Sequence, residues 1–248
     1  MKKILGLIVA VLLLAGYAGI VSAATHHYEF DSVNDTFVSQ VNPGINYNSN
    51  DLEVGDDYFF DENHYFDYFR TYVGWSSADI ASIEADTISN AYIRLYAFGY
   101  NDLDYPTPSN NYVTAYQVTS AWTEGSLNWN TQPGIITSPI IADTLITGAP
   151  SYYMWDVTGL ATSWWDNSAG NYGVMLGADM PTNDEIWVKF YDYTQEYAAY
   201  RPKLIIDTYK EDPPDPDPIP EPATMIMLGS LATGLFGMAG MKRKFFKR

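Results

Sequence analysis

The sequence has no cysteine and only three histidines among its 248 residues. Without cysteine there is no disulfide framework and no thiolate nucleophile, so the fold must hold through its core. The histidines are His26, His27 and His64, the first two close to the expected mature terminus. No H-E-x-x-H, G-x-S-x-G or D-x-[DN]-x-[DN]-G-x5-E pattern occurs. The motif-borne routes to zinc proteases, serine hydrolases and EF-hand loops are therefore closed. Basic residues are scarce too, thirteen against thirty acids. Two carboxylates would suffice for a glycosidase, but no catalytic constellation stands out, and the expectation is a non-catalytic protein.

What is present begins with two apolar ends. Lys2 and Lys3 precede an apolar run from Ile4 to Ala18, followed by the small residues Val21-Ser22-Ala23-Ala24. A basic start, a short apolar stretch and a small-residue site predict a signal peptide over residues 1–24, a helix cleaved after Ala23 or Ala24. At the other end, Pro220-Glu221-Pro222 leads into nineteen uncharged residues, Ala223 to Met241. That length just crosses the ~30 Å hydrocarbon layer, so a transmembrane helix is expected there. Lys242, Arg243, Lys244, Lys247 and Arg248 follow, and this basic cluster fixes the tail on the cytoplasmic side. A Pro-Glu-Pro triplet, one apolar helix and a short basic terminus resemble the PEP-CTERM sorting signal. The resemblance covers residues 220–248 and implies processing by an exosortase-type membrane transpeptidase at Pro220, Glu221 and Pro222. An ordinary C-terminal anchor is the alternative.

Between the ends lie six basic residues, Arg70, Arg94, Lys189, Arg201, Lys203 and Lys210, against twenty-nine acids. This balance argues against nucleic acid and anionic membranes as partners, which need basic patches. It favours divalent cations, neutral sugars or basic partners. Residues 210–219 alternate proline with acids and predict an extended spacer that holds residues 25–209 away from the membrane.

Residues 25–209 read as one all-β domain. Apolar residues alternate over Asn90–Phe98, Ile186–Tyr191 and Leu204–Tyr209. Further strands are predicted at Asp35–Ser39, Asp51–Val54, Arg70–Trp75, Tyr112–Val118, Tyr152–Val157 and Tyr172–Ala178. Nine short strands with turn residues between them predict a single jelly-roll-like β-sandwich. One short helix is expected, because Val157, Leu160, Ala161 and Trp164 share a helical face, with Asp156 or Thr158 to cap it.

The order of segments resembles the DNRLRE-domain family, which includes a carbohydrate-binding module family. Asp35-Thr36-Phe37-Val38, Pro43-Gly44-Ile45-Asn46-Tyr47 and Leu52-Glu53-Val54-Gly55 carry the opening. Arg70-Thr71-Tyr72-Val73-Gly74-Trp75 stands for the Arg-led strand. The segment from Val118 to Pro133, with Trp122, Glu124 and Trp129, is the most recognisable part, and Arg201-Pro202-Lys203-Leu204 closes the match. The resemblance implies a carbohydrate-binding sandwich. An acidic polysaccharide would need more exposed Arg or Lys than this chain offers.

Candidate sites are few. Residues 56–69 interleave acids with aromatics, a composition suited to stacking sugar rings and bonding their hydroxyls. Tyr58, Phe59, Tyr65 and Phe66 are the ligand-binding candidates there, joined by Trp165, which lies off the apolar helical face. The competing reading of residues 56–69 is a long hairpin with core aromatics and solvated acids. Trp122, Trp129, Trp155 and Trp164 are expected to pack rather than bind. Structural Ca2+ is chemically compatible with so acidic a domain, and Asp35, Asp56, Asp57 and Asp61 are its candidate ligands. A solvated acidic face is the alternative. The functional expectation is an exported, non-catalytic surface or matrix protein that binds polysaccharide. A structural or adhesive protein without specific sugar binding is the second reading, and a carbohydrate-active enzyme the third.

Overall fold

Where apolar residues alternate, the chain pairs. The computed structural model describes residues 23–48, 51–59, 65–100, 112–178 and 186–211, with side chains for all of these except 23, 57–59, 65, 66 and 100. Twelve strands occur among the described residues: β1 (Ala23–Asp31), β2 (Asn34–Ser39), β3 (Leu52–Phe59), β4 (Tyr65–Gly74), β5 (Thr87–Tyr100), β6 (Tyr112–Val118), β7 (Ile135–Ile136), β8 (Ala142–Leu145), β9 (Ser151–Asp156), β10 (Val174–Ala178), β11 (Trp187–Phe190) and β12 (Lys203–Glu211). Helices α1 (Ser77–Ala81) and α2 (Thr158–Asp166) accompany them. The residues Thr25–Lys210 form one unit.

Antiparallel pairing arranges the strands as the expected β-sandwich. In one layer β5 lies between β12 and β9, and β1 pairs beyond β12. In the other, β4 takes β2 and β3 on its pairing edges, then β10, β6 and the short β7 and β8 follow. Strand β11 pairs with both β5 and β3 and so links the two layers. That link requires glycine at Gly55, whose φ is +118°, because a Cβ there would stand 1.7 Å from the Ile186 carbonyl oxygen.

The period of two decides what is buried. Ala91, Ile93, Leu95 and Ala97 of β5 are buried and pack with Trp155, Leu204 and Ile206 against Val73, Val113, Ala115, Val174 and Leu176 of the facing layer. Trp155 is fully buried and donates its indole N–H across the core to the Val113 carbonyl at 2.7 Å. This satisfies a polar atom that would otherwise cost free energy in so apolar a setting.

A second apolar cluster covers the outer side of the other layer. Val38, Tyr72, Tyr116, Val118, Leu127 and Met175 are buried there, with Trp122 and Trp129 packed against them. The segment 119–134 forms this cover with little regular structure, and side chains pin it. Gln132 accepts from Arg70 Nη1 at 3.0 Å and from the Tyr72 hydroxyl at 2.9 Å, and donates to the Trp129 carbonyl. Asn46 donates to the Glu124 and Leu127 carbonyls at 2.5 and 2.6 Å. The best recognised stretch of sequence is therefore a lid on the sheet.

All nine predicted strands form, and α2 buries Leu160, Ala161 and Trp164 as its periodicity required. Asp156 Oδ1 accepts from the Thr158 N–H at its start, at 2.9 Å. One expectation needs correction. A second helix, α1, exists, capped by Ser76 Oγ accepting from the Asp79 N–H at 3.2 Å. It is five residues long with one buried side chain, Ile80, too short for a periodic signal. Near the expected mature terminus, β1 begins at Ala23, and His27 bonds Asp207 at 2.7 Å. Within the span 56–69, residues 56–59 and 65–69 continue β3 and β4 as a pair, from Gly55 opposite Phe69 to Phe59 opposite Tyr65.

The other expected segments fall almost wholly outside the described residues. These are the signal helix over 1–24, whose last residues Ala23 and Ala24 instead open β1, the spacer 210–219, whose Lys210 and Glu211 instead end β12, and the sorting segment with its apolar stretch 223–241. Among the described residues no helix is long and apolar enough to cross a membrane.

Candidate functional site

The outward face of the β12–β5–β9 layer carries a continuous group of aromatic rings. Even-numbered residues of β5 point away from the core, so Tyr96 and Phe98 stand on the outer surface. Pairing places Tyr152 of β9 directly opposite Tyr96. Tyr191 follows β11, and the loop from Asp192 to Arg201 returns over the same face, bringing Tyr197 and Tyr200 with it. Ring centroids are 4.4 Å apart for Phe98 and Tyr191, 4.4 Å for Tyr96 and Tyr200, and 4.7 Å for Tyr96 and Tyr152. Tyr191 and Tyr200 stack at 5.6 Å, and Tyr197 meets Tyr200 edge-on at 6.0 Å. Tyr197 is 66% exposed and Tyr152 42%, whereas Tyr96, Phe98, Tyr191 and Tyr200 are half-buried. Aromatic area of this kind normally goes to the core, so its presence outside calls for a ligand or partner.

The loop is held in place. The Tyr152 hydroxyl donates to the Ala199 carbonyl at 3.2 Å, and Arg201 Nε donates to the Gln195 carbonyl at 2.7 Å. Tyr191 N–H donates to the Tyr96 carbonyl at 3.2 Å.

Cations border the rings. Arg94 lies over the Tyr152 ring at 5.2 Å and Lys189 over Trp187 at 4.1 Å. Each cation also has a carboxylate: Arg94 and Lys203 meet Glu29, Lys203 and Arg201 meet Asp31, and Lys189 meets Glu53. Burial by itself pushes the Glu29 carboxyl up, but Lys203 and Arg94 outweigh it and hold the group below the usual carboxylate range. For Lys203, burial works downward and is outweighed by Asp31 and Glu29, leaving the ammonium more basic than usual. Four of the six basic residues of the acidic domain thus sit on this one face, charged and locally neutralised. Such a surface offers stacking area together with fixed donors and acceptors for hydroxyl groups.

The rings form an open strip and not a cavity. A cleft of about 580 Å³ lies elsewhere, beside the start of α2, lined in part by Ile136, Ile140, Val157 and Leu160. It holds no aromatic side chain among its lining residues, so it lacks the stacking area that the strip provides.

The candidates chosen from sequence are distributed differently. Tyr58, Phe59, Tyr65 and Phe66 occupy the β3–β4 hairpin, as the pairs Tyr58–Phe66 and Phe59–Tyr65, and their side chains lie outside the described set. Trp165 is not a free platform: it is half-buried against the main core and donates its N–H to the Ile83 carbonyl at 3.3 Å. Its position one residue from the buried Trp164 gives it the flank of α2, which α1 and its neighbours cover. Trp155 and Trp164 are fully buried, and Trp122 and Trp129 pack on the second cluster, as expected of structural indoles.

Of the proposed calcium ligands, Asp35 is buried on β2 and Asp56 on β3, where Asp56 Oδ1 accepts from the Ile186 N–H at 3.1 Å. The Asp57 side chain and all of Asp61 lie outside the described residues. Among the described residues no three His, Asp or Glu side chains converge as a metal-binding group. Sequence reasoning missed Tyr96, Tyr152, Tyr191, Tyr197 and Tyr200 as a group. The alternation over Asn90–Phe98 places Tyr96 and Phe98 on one face, but their partners come from β9 and from the segment after β11, more than fifty residues away.

Comparison with known proteins follows the same line. The model of carbohydrate-binding module family 96 matches residues 26–208, nearly the whole sandwich. No curated protein matches the chain.

Proposed function

Because the chain belongs to carbohydrate-binding module family 96, we propose that it binds polysaccharide along the outer tyrosine strip of Tyr96, Tyr152, Tyr191, Tyr197 and Tyr200. The observation that carries this reading is the cluster of tyrosine rings on the outer face, with Tyr152 and Tyr197 exposed, in a domain of that family. An open strip suits an extended glycan, whose successive rings can lie across it, better than a small free sugar. The domain acts by binding and performs no chemistry on the chain it holds.

The setting proposed is the cell surface or the extracellular matrix. The apolar, small-residue start and the Pro-Glu-Pro tail with its basic end support export followed by exosortase-type processing. The order of motifs shared with DNRLRE domains supports the same assignment. In this setting the protein would tether or organise exopolysaccharide, as in a biofilm.

Affinity electrophoresis of residues 25–210 through gels containing neutral or acidic polysaccharides tests the reading. Retardation by at least one glycan, lost in a Tyr96→Ala/Tyr152→Ala/Tyr200→Ala variant that keeps its fold, is the expected outcome. Equal mobility in every gel would leave the structural or adhesive reading in its place.

A further inference from the structure

At one edge of the sandwich two carboxylates are buried, and among the described residues no cationic side chain forms an ion pair with either. Asp35 lies on β2 directly opposite Val73. Cross-strand partners share a face, so its carboxyl points, like the core residue Val73, between the layers. Asp35 is 1% exposed. Its Oδ2 accepts from Ser32 Oγ at 2.9 Å, whereas Oδ1 is shut off from solvent without a hydrogen-bond partner. Asp192, just beyond β11, is 6% exposed. It accepts from the Thr194 N–H at 3.0 Å and from Thr194 Oγ1 at 2.8 and 2.9 Å.

Asp192 and Glu124 are close enough to Asp35 for their charges to act on it, and the Tyr193 N–H approaches it from the same loop. The basic side chains are engaged elsewhere. Arg94, Arg201 and Lys203 meet Glu29 and Asp31, Lys189 meets Glu53, Lys210 meets Glu84, and Arg70 meets Gln132 and Trp129.

A buried carboxylate needs a proton, a cationic side chain or a metal ion. Calcium takes six to eight oxygens at about 2.3–2.6 Å, closer than a water molecule approaches an oxygen at about 2.8 Å. Asp35 Oδ1, closed to solvent and without a hydrogen-bond partner, is an oxygen of the kind such an ion takes.

We propose that Asp35 and Asp192 hold a calcium ion at this edge, with hydroxyl and backbone carbonyl oxygens completing its shell. With two carboxylates the ion is bound without a third acidic ligand, in keeping with the absence of a three-residue cluster among the described residues. The ion would tie β2 to the loop that begins at Tyr191 and carries Tyr197 and Tyr200. Its presence does not depend on the glycan reading, and its test involves no glycan.

Terbium luminescence and thermal melting of the purified full-length protein decide the matter. Saturable Tb3+ emission, sensitised by neighbouring aromatics and displaced by Ca2+, is expected. So is a melting temperature higher in calcium than in EDTA by several degrees. Asp35→Asn and Asp192→Asn should each remove the calcium shift, while Asp35→Asn in EDTA should melt no lower than the wild type, since asparagine is neutral without taking up a proton. Identical wild-type melting in calcium and EDTA would overturn the proposal. So would terbium emission that persists unchanged in both variants, as diffuse binding to the acidic surface would give.

Discussion

Tyr96 and Tyr152 face each other across β5 and β9 with their ring centroids 4.7 Å apart and their planes at 71°. A direct cross-strand pair is held by the ladder beneath it, so this edge-to-face contact is a fixed feature of the outer surface. Tyr200 closes on Tyr96 at 4.4 Å from the returning loop. The strip is thus built from two rigid strands and one pinned loop, a good basis for binding without rearrangement.

Removing single rings from it should separate binding from folding. Tyr152→Ala takes away a 42% exposed ring and the hydroxyl that bonds Ala199. An aromatic contact is worth about 0.5–1.5 kcal/mol, so glycan affinity should fall roughly 2- to 12-fold. Tyr197→Ala, at the most exposed ring, should change melting less than Tyr152→Ala does. Affinity electrophoresis and thermal melting measure the two effects side by side.

Trp155 should behave in the opposite way. It is fully buried, meets Phe190 edge-on at 6.1 Å and bonds the Val113 carbonyl. Trp155→Phe keeps a ring but loses the hydrogen bond to that carbonyl, at about 0.5–1.5 kcal/mol. Trp155→Ala should cost about 3–5 kcal/mol. Urea denaturation gives both values, and a cost for Trp155→Ala below that of Trp155→Phe would contradict the packing described.

How far the sequence led can be judged on particular residues. Periodicity located β5 and its buried face because burial alternates strictly there, and it located the face of α2 for the same reason. It could not see β7 and β8, whose two and four residues are held by pairing with β6 and not by their own pattern. The tyrosine strip was only half legible. Tyr96 and Phe98 were on a named face, but Tyr152, Tyr191 and Tyr200 join them only through the pairing of β5 with β9 and the return of the loop. Asp35 was named for its charge, whereas its burial opposite Val73 depends on register. Trp165 misled because one position off a helical face need not be solvent when another element covers that flank.

Gln132 illustrates a contact that sequence does not announce. Its side chain accepts from Arg70 and Tyr72 and donates to Trp129, joining the cover segment to β4. Gln132→Ala would leave the phenol of the buried Tyr72 without this acceptor, at about 1–3 kcal/mol. Hydrogen exchange should quicken in residues 119–134 while the main core stays protected. Uniform exchange throughout would refute a locally pinned lid.

The pH dependence of stability follows from Asp35. Burial, with the charges of Asp192 and Glu124 adding to it, outweighs the Ser32 hydrogen bond and pushes its carboxyl up to about 8. In EDTA the folded state then keeps a proton there that the unfolded chain has released above its ordinary value of 3.8. The folded state binds more protons across that window, so stability contributed by this group is complete below 3.8 and is lost as pH rises toward about 8. The slope from one such group is at most about 1.4 kcal/mol per pH unit. Denaturation in EDTA at pH 6, 7 and 8 should therefore show falling stability, and Asp35→Asn should flatten the trend. Saturating calcium should flatten it as well, because an ion that binds the carboxylate restores at high pH what the proton supplies at low pH.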